Sequence, residues 1–209
     1  MAKNDLRYFS LLHLTTNKCY KGIMEKQKIK VSKHDVRNGK LQWLGDGIYF
    51  WDLNDLYARK LGINLVKGKN NFAKIVGITI NFEINKNNII DLDNDYWAQE
   101  YNNFLKKIYP KEYEKIINYK KIIQEQTKVK SNESNKLGEL TGTTLNLFLN
   151  YLKETKGKNI DLVIGFFHHN TNNYKFIFGR EKKDIAQYCV KNDELVNNCI
   201  DNWKIIHNI

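Results

Sequence analysis

Three stretches hold residue types that could do chemistry. His13 lies in the apolar run YFSLLHLTT (8–16), and a neutral imidazole offers one hydrogen-bond donor and one acceptor. Gly45-Asp46-Gly47-Ile48-Tyr49-Phe50-Trp51 sets an aromatic run behind a glycine-flanked aspartate. Such a run suits one wall of a pocket for a flat ligand, and equally a buried strand after a tight turn. Neighbours on a strand alternate in direction, so Phe50 is expected to pack the face opposite Tyr49. In HHNTNNYKFIFGREKKD (168–184), His168, Asn170 and Arg180 could grip phosphates beside Lys182 and Lys183, because a guanidinium presents a fork of donors matched to phosphate geometry. A solvated hairpin loop is the plainer reading of that segment.

Length and composition bound what these residues can belong to. The chain has 209 residues, enough for one sizeable domain and short for two; 42% are hydrophobic, ample for a core. It has no apolar run long enough to span a membrane, so no membrane partner is expected. The N-terminus lacks a basic region followed by a long apolar one, so no leader is read there. Cys19, Cys189 and Cys199 form no CxxC pair and suit reduced thiols, hence a cytoplasmic location. The formal net charge of +11, spread along the chain, favours association with polyanions such as nucleic acid; a lysine- and asparagine-rich composition alone is the alternative.

The elements that must position the residues follow from pattern. Strands are expected at 8–16, around 48–52, at 74–82, 159–167, 174–179, 184–190 and 202–208. Short helices are expected at 22–29, after Gly22, and at 53–62, stopped at Gly62. Residues 96–129 carry helical periodicity broken at Pro110, and 143–155 reads as another helix. The polar patch KSNESNKLGEL (130–140) reads as the most mobile loop. Strands at both ends with helices between indicate a mixed α/β (α+β) single domain, 1–209, with a helical insertion around 96–155.

The order His13-Leu14-Thr15-Thr16, then Gly45-Asp46-Gly47-Ile48-Tyr49-Phe50, then a helix bearing Ala58 resembles the diphtheria-toxin and poly(ADP-ribose) polymerase class of ADP-ribosyltransferases. The matching motifs cover the N-terminal part of the chain and one C-terminal strand. The resemblance implies a split, mostly antiparallel sheet with flanking helices, and NAD as substrate. It implies that His13 bonds ribose hydroxyls, that Leu14 holds the nicotinamide amide through its backbone, and that Tyr49 stacks on the nicotinamide. Tyr57 could substitute for a second stacking tyrosine, although a core or surface role is the plainer reading of it; Thr15 and Gly47 also belong to the implied NAD site. A cationic leaving group suits an aromatic face. The family's late-strand glutamate, which favours charge developing at the anomeric carbon, corresponds here to Gln187.

Three departures stand out. Leu14 occupies the family's glycine, and Lys60 the place of a second stacking tyrosine, with Tyr57 almost a turn earlier. Gln187 retains hydrogen bonding without charge; Glu181 and Glu194 are the nearby carboxylates. The resemblance implies transfer of ADP-ribose from NAD to a macromolecule, with His13, Tyr49 and Gln187 as catalytic residues and segment 168–184 choosing the acceptor. RNA or DNA is the favoured acceptor, protein the next. Family analogy adds a toxin or antiviral effector with a neutralising antitoxin protein. NAD hydrolysis, or a non-catalytic NAD- or nucleic-acid-binding module, are the alternatives. No metal is expected: His168-His169 has no partner at ligand spacing, and Asp91, Asp93 and Asp95 lack the glycine and distal glutamate of a calcium loop, so they read as a strand-end turn and helix cap.

Overall fold

The protein is described by a computed structural model covering residues 5–69, 74–125, 131–170, 173–176, 184–199 and 202–207. Among these residues, strands β1 (Leu6–Thr16), β2 (Ile48–Asp52), β3 (Ile75–Asn85), β4 (Ile89–Asp91), β5 (Leu162–Asn170), β6 (Asn173–Phe176), β7 (Asp184–Val190) and β8 (Lys204–His207) form one sheet. Its order is β4-β5-β7-β2-β1-β3-β8, with β6 paired to β5. All pairs are antiparallel except β4–β5. The chain is therefore a mixed α/β protein on a mostly antiparallel sheet, as the element order indicates.

Both faces are covered. Helix α1 (Asn17–Lys26) and the short α6 (Glu194–Asn197) lie against the face holding Phe9, Leu11, Phe50, Ile78, Ile80 and Tyr188. On the other face α2 (Leu56–Lys69) packs on Leu12, Leu14, Trp51 and Ile185. Helices α3 (Asp95–Ile108), α4 (Pro110–Glu125) and α5 (Ser131–Lys156) form the crossover between the parallel β4 and β5, enclosing Phe104, Leu145, Phe148 and Leu152.

Several elements differ from expectation for local reasons. Helix α1 starts at Asn17 rather than after Gly22, because the Thr16 hydroxyl accepts from the Cys19 N–H and caps it. Helix α2 continues through Gly62, where a Cβ would stand 2.5 Å from Trp51 Nε1 and 2.6 Å from Leu14 Cδ1. That glycine makes a close contact and does not stop the helix. Segment 131–140, expected as a loop, is the first part of α5. Its Leu137, with Thr141, Leu145, Phe148 and Leu152, makes a buried stripe at helical spacing, and the Thr141 and Thr144 hydroxyls donate to carbonyls one turn back. Pro110 opens α4 at a position that needs no intrahelical N–H, and Asn94 caps α3 through the Tyr96 N–H, just after the turn in which Asp91 accepts from the Asp93 N–H. No described helix is long and apolar enough to cross a membrane.

Candidate functional site

The site is built where β1 and β2 part. Their pairing comprises Leu11–Asp52 and Leu12–Trp51 and goes no further. Just past these pairs, the His13 imidazole reaches the Tyr49 carbonyl at 2.9 Å. A carbonyl can only accept, so Nδ1 carries the proton and Nε2 presents a lone pair. Burial pulls the His13 pKa below the ordinary 6.5, against a smaller opposing pull from the Tyr49 carbonyl. The ring is therefore neutral at pH 7. Phe50 meets it edge-on, with centroids 5.6 Å apart.

Tyr49 sits behind the Gly45-Asp46-Gly47 turn that the sequence singles out. Its hydroxyl donates to the Gly45 carbonyl at 2.7 Å and accepts from the Leu44 N–H at 3.0 Å. Burial raises its pKa well above the ordinary value, so it stays a phenol. The ring packs beside the α3–α5 core. Tyr49 thus ties the turn to the strand that follows it.

Other residues hold the same turn. Asp46 accepts from the His34 N–H at 2.8 Å, from Lys33 Nζ at 3.0 Å and from Asn146 Nδ2 at 3.1 Å. Partial burial opposes its charge, but these donors and the Lys33 cation outweigh that and hold the carboxyl below its ordinary value. Asn146 Oδ1 accepts from the Asp46 N–H at 2.9 Å, and the Lys191 ammonium donates to the Asp46 carbonyl at 2.6 Å and to the Leu44 carbonyl. Gly45 adopts φ +73°, and a Cβ there would fall 2.2 Å from Asn146 Oδ1. At Gly47 a Cβ would fall 2.3 Å from Cys189 Sγ, so both glycines are needed for close approach. Sequence reading missed Asn146 and Lys191, which come from distant elements; the only local signal was the glycine-flanked aspartate itself.

Gln187, on β7, lies opposite Trp51 of β2 and Gly165 of β5 and is 8% exposed. Tyr49 pairs with Cys189, so Tyr49 and Gln187 are diagonal neighbours on one face. His13 shares the opposite face with Phe50 and contacts Tyr49 through the backbone. The three residues thus gather on adjacent central strands, with the imidazole entering from the other side of the seam.

The remaining expected residues are more dispersed. Leu14 finds room in the α2 cluster beside Gly62, and Thr15 is buried on β1 opposite Val76. Tyr57 is 69% exposed on the first turn of α2, where its N–H donates to Asp55. Glu194 opens α6 in an exposed position. His168 and Asn170 occupy the β5–β6 hairpin, opposite Lys175 and Asn173. Arg180, Glu181, Lys182 and Lys183 lie outside the described residues. Among the described residues no cluster of three or more His, Cys, Asp or Glu is placed to hold a metal ion.

No family model, no curated protein and no solved structure matches the chain.

Proposed function

We propose that the protein transfers ADP-ribose from NAD to a macromolecular acceptor, nucleic acid before protein, with release of nicotinamide. The observation that carries this reading is the His13–Tyr49 contact, which draws the His-x-Thr-Thr and Gly-x-Gly-Ile-Tyr-Phe motifs together where two central strands separate. The bond from Nδ1 leaves Nε2 free to accept from a ribose hydroxyl of NAD. Nicotinamide departs with the electron pair of its glycosidic bond. The acceptor nucleophile then attacks the anomeric carbon and loses its proton. Gln187 would hydrogen-bond the ribose but adds no charge against the developing cation, so this residue favours a second reading: a module that binds NAD without turning it over.

The test is nicotinamide release from NAD by purified protein, alone and with added RNA, DNA or protein acceptors. Transfer predicts release that requires an acceptor and disappears in His13→Ala. Release without acceptor identifies a hydrolase. NAD binding without release identifies the binding module, and absence of NAD binding removes the whole reading.

A further inference from the structure

A cleft of about 570 Å3 opens beside the Gly45–Gly47 turn, between the C-terminal half of α5, residues 158–161 and the end of β7. Lys153, Lys158 and Lys191 line it together with the amides of Asn150 and Asn159. Its charges are unequally matched. Asp46 is engaged by Lys33, and Asp161 accepts from Asn88 at 2.8 Å and Asn192 at 3.1 Å. Among the described residues none of the three lysines has a carboxylate within ion-pair distance, and neither the Asn150 nor the Asn159 side chain has a hydrogen bond. Lys191 is spent on the carbonyls of the turn, while Lys153 and Lys158 are exposed. A concave surface with surplus cations and idle amide donors matches an anionic ligand.

Aromatic rings extend the surface. The Lys158 ammonium stands 5.2 Å from the centroid of the Trp97 ring, and Tyr96 meets Trp97 edge-on with centroids 5.1 Å apart. Tyr96 is 54% exposed. Lys153 on α5, Lys158 just beyond its end and the rings of α3 are thus spread over a surface rather than closed around a single phosphate. That combination suits a strand of phosphates with unpaired bases.

We propose that this cleft docks single-stranded nucleic acid, with phosphates on Lys153, Lys158 and the two free amides and a base against Tyr96 and Trp97. The proposal deepens the acceptor part of the reading above and rests on it only in taking nucleic acid as the acceptor; docking itself calls on neither His13, Tyr49 nor Gln187.

The experiment is fluorescence anisotropy with labelled single-stranded RNA and DNA of about a dozen nucleotides, without NAD, over a salt series. Lys153→Glu/Lys158→Glu should weaken binding about tenfold or more and flatten the salt slope by about 1–2, the loss of two phosphate contacts. Lys18→Glu/Lys21→Glu on α1, the same charge change on the other face of the sheet, should stay within about twofold. Tyr96→Ala should weaken binding at least about fivefold through lost stacking. Circular dichroism checks that each variant is folded. Equal losses in the two double variants, no binding by the unaltered protein, or displacement by ADP or inorganic phosphate at the oligonucleotide's own affinity overturns the proposal. Failure of the NAD reading looks different: oligonucleotide binding that depends on the cleft, with no nicotinamide release.

Discussion

The His13 imidazole donates from Nδ1 to the Tyr49 carbonyl across 2.9 Å, just past the last paired residues of β1 and β2. Burial rather than this bond keeps the ring neutral, and burial gives the residue a pH signature. The folded-state pKa lies below the ordinary 6.5, so the unfolded chain binds more protons in that window. Stability from His13 is therefore full above about pH 6.5 and is lost as pH falls through the folded-state value. Urea unfolding between pH 5 and 8 should show the unaltered protein losing stability relative to His13→Gln as the medium is acidified. Parallel pH profiles for the two proteins would remove the claim.

Tyr49→Phe separates two jobs of one residue. The ring stays, while the hydroxyl bonds to the Gly45 carbonyl and Leu44 N–H go. Buried groups left without partners cost about 1–3 kcal/mol, so the melting temperature should drop clearly. If the ring is what meets nicotinamide, release from NAD by the folded variant should persist. Loss of release with unchanged stability would reverse that assignment.

Gln187→Glu tests whether this position faces the anomeric carbon. A preorganised carboxylate there should raise nicotinamide release by about 10²–10³. It should also lower stability, since Gln187 is 8% exposed and a carboxylate would be desolvated. Destabilisation without faster release would mean that β7 presents some other residue to the substrate.

Gly62→Ala should destabilise by about 1–3 kcal/mol, because the added methyl collides with both Trp51 and Leu14. Pairing it with Leu14→Ala should recover part of the loss. Independent, additive effects of the two changes would contradict the close packing of α2 on β1.

Elements with an alternating or helical apolar pattern of their own were legible in the sequence: β1, β3 and β7 fall where the pattern puts them, and Pro110 divides α3 from α4. The start of α5 was not legible. Ser131–Gly138 is polar and has weak helix formers, and its helicity reflects the buried placement of Leu137 and Thr141 against other elements. β4 is only three residues long and owes its existence to pairing with β5, far along the chain. In the same way, His13 and Tyr49 were named from local motifs. Lys191 and Asn146 hold the turn from positions whose relation to it exists only after folding.

Cys189 lies sealed beneath the glycine turn, its Sγ 3.6 Å from the Asp46 carbonyl and close enough to Gly47 to exclude a methyl group. Burial also raises its pKa and suppresses the reactive thiolate. Cys19, by contrast, is exposed on α1. A thiol reagent should therefore modify Cys19 at once and Cys189 only when the turn lifts. In a Cys199→Ser background, the slower rate becomes a native clock for opening beside the seam, and its change with added NAD would report whether the ligand holds that turn shut.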